Sequence, residues 1–163
     1  MTGGASIVTT DRQIESNAHQ QSVEFYRQQK LEAFVEFLTA ASEASPKIVS
    51  YQNEVVTASN LTDSEFDRVR EDCYAAMLRL SDSHNKVRIV ASDEETLGAA
   101  KSIVELYGQH VSVADKVWSS SVWGGMTAEA RYSSGIAKDG LKDARPLLER
   151  FVDAAKADIT ATM

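Results

Sequence analysis

From Asp11 to Ala44 the chain carries neither proline nor glycine, so no residue type over that stretch forces a helix to stop. Thr10 is a suitable N-cap, and Asp11 places a negative charge in the first turn, where the helix dipole favours it. Leu31, Phe34, Val35, Leu38 and Ala41 recur at spacings of three and four, which predicts one apolar helix face. Ile14, Ala18 and Phe25 extend a thinner stripe upstream through a glutamine-rich run. A helix over 11–44 spans about 50 Å at 1.5 Å per residue. A bundle built from 163 residues does not need that length. The amino-terminal third is therefore expected to project, to pair with another chain, or to fray.

Downstream, Ser45-Pro46 reads as a stop or a kink, because proline lacks the amide donor and crowds the preceding turn. Ile48, Val49, Tyr51 and Val55 then keep mostly helical spacing up to a loop at Thr57-Ala58-Ser59-Asn60. Thr62-Asp63-Ser64-Glu65 has the form of a capping box and opens a second helix with Phe66, Val69, Cys73, Ala76 or Met77, and Leu80 inward. Asp82-Ser83-His84 is expected as a solvent-facing polar helix end. Lys86 to Ala91 alternates polar and apolar residues, but a lone strand has nothing to pair with, so the segment reads as the tail of the second helix or as an extended connector. Ser92-Asp93-Glu94-Glu95 is a second capping box. The helix behind it carries Leu97, Ala100, Val104 or Ile103, Tyr107, Val111 and Ala114 on one face and runs to about Ser119. Gly124-Gly125 is the strongest breaker, and Thr127-Ala128-Glu129 restarts at most a short helix, weakened by Gly135 and Gly140. A last helix starts near Asp143, tolerates Pro146 in its first turn, and presents Leu147, Leu148, Phe151, Ala155 and Ile159. The expected fold is all-α: an antiparallel bundle of three to five helices with one long amino-terminal helix. It forms a single domain over 11–160, with flexible ends at 1–10 and 161–163.

Three segments carry a resemblance: Leu31-Glu32-Ala33-Phe34-Val35-Glu36-Phe37-Leu38, Val87-Arg88-Ile89-Val90-Ala91-Ser92, and Arg150-Phe151-Val152-Asp153-Ala154-Ala155-Lys156-Ala157-Asp158-Ile159. Together they are similar to a group of uncharacterised all-helical actinobacterial or phage proteins with FLxA, VRLV and FxxAARxDL-like segments. This chain has Lys156 where that pattern usually has arginine, and it lacks the amino-terminal membrane helix of some members. The resemblance implies a helical fold in a bacterial or phage cytoplasm and no particular activity.

Templates for chemistry are largely missing. The single cysteine, Cys73, excludes an internal disulfide framework and any multi-cysteine zinc site, and its place on the seam of the second helix predicts a small buried apolar residue. His19, His84 and His110 have no histidine partner at helical spacing, and no Glu-x-x-His occurs. Glu32 and Glu36 share a helix face but have no histidine beside them, which fits a solvated flank. There is no Gly-x-Ser-x-Gly elbow, no phosphate-cradling loop and no glycine fingerprint after a strand. A net charge of −7 disfavours nucleic acid and anionic lipid as partners. The arginines Arg68, Arg70, Arg79 and Arg88 are interleaved with Asp67, Glu71, Asp72 and Asp82, as on a salt-bridged surface. The small basic stripe of Lys138, Lys142 and Arg145 is diluted by Asp139 and Asp143. The expectation is a non-enzyme with no catalytic, cofactor or metal residues, no cofactor and no membrane span, located in the cytoplasm.

The most unusual segment is Val117 to Met126, which holds both tryptophans. One reading is a cap over the end of the bundle. The other is an aromatic anchor for a partner, formed by Trp118, Val122, Trp123 and Met126. The preferred function is a small soluble protein–protein interaction module, self-associating through its first helix. The alternative is a helical bundle that holds a small apolar ligand as a sensor or carrier, with Met77, Met126, Tyr74, Tyr107 and Cys73 as candidate linings.

Overall fold

The computed structural model describes residues 4–57, 63–122, 141 and 144–161, with side chains over 13–56, 64–119, 141 and 144–161. Among the described residues there are four helices and no strand: α1 (Gly4–Thr57), α2 (Asp63–Val90), α3 (Glu94–Val122) and α4 (Ala144–Thr160). At 54 residues, α1 is roughly 80 Å long. It begins ahead of the Thr10 cap, because nothing between Ala5 and Thr10 breaks it. It also runs through Pro46, which denies the carbonyl of Ser42 its usual amide partner without ending the helix. Pro46 is exposed, whereas Ala41, Ala44, Ile48 and Tyr51 around it are fully buried, so the packed face holds the helix on either side of the defect.

The core runs from Phe34 on α1 through Phe66, Cys73, Leu80 and Val87 on α2, Ile103 and Tyr107 on α3, and Phe151 on α4. Aromatic rings tie the layers together. Phe151 sits edge-on to Phe34 at 5.8 Å and against Phe37 at 4.8 Å between ring centroids. The inward stripes read from the sequence of α2, α3 and α4 are the ones that face this core. On α1 the expected stripe is right in part: Phe34 and Ala41 are buried and Leu38 packs on the core, but Leu31 and Val35 face away. Ala33, Phe34, Phe37, Ala41, Ala44 and Ile48 point inward, while Leu31 and Val35 are 46% and 53% exposed. Two adjacent apolar stripes lie on this helix, and only the α2 and α4 neighbours decide which one is buried.

α1 makes its most extensive contact with α2, and α3 packs against the other three helices. Ion pairs along the α1–α2 seam run in opposite sequence order: Lys47 with Asp72 at 3.1 Å, Glu43 with Arg79 at 3.5 Å, and Glu36 with Lys86 at 2.6 Å. All are exposed, so they set register more than they add stability. Lys86 to Val90 is the final turn and a half of α2, the first of the two expected alternatives, and the Ala91 amide still bonds to the Val87 carbonyl at 2.8 Å. This continuation corrects the reading of Asp82-Ser83-His84 as a helix end. Ser83 is buried and donates to the Leu80 carbonyl, and His84 is half-buried against the Phe37 ring. Burial and the neighbouring Arg88 lower the His84 pKa.

The α2–α3 turn departs from the expected capping box by one residue. Asp93, not Ser92, caps α3: its carboxylate accepts the Thr96 amide at 3.0 Å and its carbonyl accepts the Leu97 amide at 3.2 Å. Glu94 and Glu95 follow in the first turn, on the favourable side of the dipole. Ser92 is thereby free for a different task. The expected features at Ala58–Asn60, Thr62, Gly124-Gly125, Thr127–Glu129, Gly135, Gly140, Lys138 and Lys142 lie outside the described residues, as do positions 1–3, 162 and 163.

Candidate interaction surface

The amino-terminal half of α1 leaves the bundle. Over residues 13–29 every side chain is exposed except Val23 and Arg27, which are half-buried. Ile14, Phe25 and Tyr26 each remain 60% exposed. Phe25 and Tyr26 meet edge to face at 6.0 Å. Local bonds support this stretch: Ser22 to the His19 carbonyl at 2.9 Å, Gln28 to the Glu32 carboxylate at 2.9 Å, and Arg27 near Glu24 at 3.9 Å. Such pairs contribute only a few tenths of a kcal/mol each, roughly 0.2–0.5. A helix of this length therefore presents its apolar side chains at little local profit unless something packs on them.

Where the arm meets the bundle, three elements are pinned together. The Lys30 ammonium lies on the inward face of α1, 6% exposed, 2.8 Å from the Asp158 carboxylate of α4. It also donates to the Ser92 hydroxyl at 2.6 Å. Ser92 in turn gives both its amide, at 3.1 Å, and its hydroxyl to Asp158. Burial alone would raise the Asp158 carboxyl, but the bonds from Lys30 and Ser92 outweigh it and hold the carboxyl below its ordinary value. A serine beside a lysine invites comparison with a nucleophile and its base. Here the lysine is neutralised by a carboxylate and donates to the serine oxygen, while the carboxylate is a weak base. The geometry makes a clamp rather than an activated hydroxyl. Sequence reasoning missed it because its members are 62 to 128 residues apart. The available signal was Asp158 itself, a charge standing two turns beyond Phe151 and one turn beyond Ala154 and Ala155 on an apolar stripe.

Beside the junction, an open groove of about 890 Å³ runs between α1 and α2, lined by Leu31, Val35 and Thr39 on one wall and by Arg79, Asp82 and Lys86 on the other. Glu36 on its rim is engaged by Lys86, and Glu32 by Gln28.

At the opposite end, Asp115 on α3 accepts hydrogen bonds from the Tyr51 and Tyr74 hydroxyls, both at 2.7 Å. Burial and this shared carboxylate raise both phenols, that of Tyr74 to about 12. Gln52 and His110 are buried together at 3.0 Å. Trp118 is half-buried and stacks on Phe66 with ring centroids 3.6 Å apart, which places it against the core at this end. Val122 closes α3, and Trp123 and Met126 lie outside the described residues, so the structure locates Trp118 alone of the four expected partner-binding side chains. Among the candidate ligand linings, Cys73 and Tyr107 are fully buried core members, and Met77 packs beside them. Burial pushes the Cys73 thiol up to about 11, consistent with an inert packing role. Tyr74 is 42% exposed and engaged by Asp115, and Met126 is outside the described residues. None of these residues lines the 890 Å³ groove.

No group of three or more acidic, histidine or cysteine side chains that could hold a metal occurs among the described residues. No described helix is long and apolar enough to cross a membrane. No family model, curated protein or solved structure matches the chain.

Proposed function

We propose that this chain is a non-enzymatic, cytoplasmic protein–protein interaction module, an antiparallel helical bundle that presents the projecting half of α1 to its partner. The observation that carries the reading is the exposure of Ile14, Phe25 and Tyr26 on a helix that continues well past the core. Large apolar side chains at a rigid, solvent-exposed position are what helix-in-groove and helix-on-helix recognition use as anchors. The clamp at Lys30, Ser92 and Asp158 supports the same reading, because it fixes the direction in which the arm leaves. The carrier alternative draws less support, since Cys73 and Tyr107 are closely packed.

The test is affinity capture from the native host with the tagged full chain beside two variants, Ile14→Ser/Phe25→Ser/Tyr26→Ser and Trp118→Ala/Trp123→Ala. A species captured by the wild type and lost with the arm variant, at unchanged thermal stability, supports the arm as the contact surface. Loss only with the tryptophan variant moves the surface to the far end of the bundle. Equal recovery with all three removes both.

A further inference from the structure

A cleft of about 570 Å³ between α2 and α3 is lined by His84 and Arg88 from α2 and by Leu97, Gly98 and Lys101 from α3. Helical spacing sets these groups side by side, since His84 and Arg88 are four residues apart, as are Leu97 and Lys101. Two fixed cations and an imidazole thus share one concavity with no carboxylate in its lining, in a chain whose net charge is −7. Glu94 and Glu105 stand about a turn to either side on α3 but do not line the cleft. Lys101 approaches Glu105 at 3.6 Å with both side chains well exposed, a loose pair that leaves N–H donors of the ammonium unused. Arg88 stands apart from its neighbours. Arg70 and Arg79, expected with it on a salt-bridged surface, pair with Asp67 at 3.2 Å and with Glu43 at 3.5 Å. Among the described residues Arg88 makes no ion pair and no hydrogen bond. His84, half-buried against the Phe37 ring, makes no hydrogen bond among them either. Burial and the Arg88 charge keep its imidazole neutral at neutral pH, with one N–H to donate. Gly98 adds no side chain, and a Cβ there would meet nothing within 4 Å, so the cleft stays open on the α3 side.

We propose that this cleft binds the phosphoryl group of a small soluble phosphomonoester, with Arg88 and Lys101 as its charged contacts and His84 as a neutral donor. The proposal is independent of the arm and of what the arm contacts. A carboxylate presents two oxygens in one plane. A phosphoryl group presents three around a tetrahedron and carries close to two negative charges at neutral pH, which suits donors converging from two different helices. The guanidinium fork takes two of those oxygens, and the ammonium meets the group as a point charge. An anion seated between the two cations also offsets a repulsion that nothing in the lining offsets. The cleft has more room than a bare phosphate fills and lies within the size range of small-molecule sites, roughly 300–1,000 Å³. Leu97 lends that extra room an apolar wall, which fits a compact organic group on the ester oxygen. A lipid headgroup carries the same phosphoryl chemistry. Glu94 and Glu105 beside the cleft oppose the approach of an anionic surface, whereas a small molecule enters between them.

The test titrates the full-length chain with inorganic phosphate and with phenyl phosphate at constant ionic strength, following the heat and the His84 ring resonances. Both ligands should bind, phenyl phosphate the more tightly, and the His84 resonances should move in step with the heat. Arg88→Ala, at an exposed position in the last turn of α2, should weaken both about tenfold or more by removing a charge-assisted contact. Gly98→Leu, at an exposed helical site, fills the cleft without changing its charge and should abolish phenyl phosphate binding while thermal stability is undiminished. Arg68→Ala, an exposed arginine of α2 outside the cleft, should leave both affinities unchanged. No heat and no His84 shift at roughly 10 mM of either ligand overturns the site. Equal weakening by Arg68→Ala, or affinity that survives both Arg88→Ala and Gly98→Leu, places the anion elsewhere and overturns it too. Binding of phosphate without phenyl phosphate overturns the ester. Vesicles containing phosphatidic acid form the last arm: capture by them of a chain that takes neither soluble ligand assigns the phosphoryl group to a membrane and overturns the soluble one.

Discussion

The two halves of α1 share one uninterrupted helix and have opposite fates. Residues 30–56 contribute Phe34, Phe37, Ala41, Ala44, Ile48, Tyr51 and Val55 to the core, and they contain the proline. Residues 13–29 contain no breaker and bury almost nothing. Backbone chemistry alone would rank their helicity the other way round. The comparison separates two things that one element label conflates. Packing carries the helix through Pro46 in the inner half. In the outer half, propensity and a few side-chain pairs act without packing, and an apolar face is left over.

The largest test of that contrast is truncation of matched aromatics. Phe37→Ala, at a fully buried ring, should cost about 3–5 kcal/mol in denaturant unfolding. The same change at Phe25, which is 60% exposed, should cost less than about 0.5 kcal/mol. Comparable losses would mean that the arm packs on the bundle after all. Next in size is the junction. Asp158→Asn removes the carboxylate charge 2.8 Å from the buried Lys30 ammonium and should cost about 3 kcal/mol at neutral pH. The Asp158 carboxyl is held below its unfolded value, so its contribution is fully present above about pH 4 and is lost as pH falls through the native pKa. Wild type and Asp158→Asn should therefore converge in acid, and a gap constant with pH would count against the clamp.

Pro46→Ala should stabilise the chain by about 2 kcal/mol, since it restores an amide to the Ser42 carbonyl at an exposed site. No gain would show that the inner half is shaped around the proline. The smallest effect is at the far end. Tyr74→Phe removes one bond to Asp115 and should cost about 1 kcal/mol. Because the native Tyr74 phenol is raised to about 12, its contribution holds below about pH 10 and declines above it. The difference between wild type and Tyr74→Phe should shrink in alkali.

Much of this architecture is legible in the sequence, for local reasons. Glu94-Glu95 in a first turn, Pro146 near a helix start and the three-and-four spacing of Phe66, Cys73, Ala76 and Leu80 each act over a single turn, so the boundaries and inward faces of α2, α3 and α4 follow from them. On α1 Phe34, Leu38 and Ala41 follow from the spacing, but Leu31 and Val35 were included wrongly because they extend the stripe as well as Phe37 does. Periodicity cannot choose between two apolar faces; only the neighbours can. The cap moved from Ser92 to Asp93 because Ser92 is claimed by a carboxylate 66 residues away. No sequence window reaches that far. The clamp is invisible for the same reason, although the placement of Lys30 and Asp158 on apolar stripes was a visible anomaly.

The clamp also orders events during synthesis. Lys30 is made 128 residues before Asp158, so the hairpin of α1 and α2 emerges from the ribosome and meets its own short-range contacts long before α4 exists. Until then the Asp158 carboxylate that receives the ammonium in the folded chain does not exist. The direction of the arm is therefore fixed only after α4 has been made, and a chain released before α4 is complete would carry the arm without its bearing.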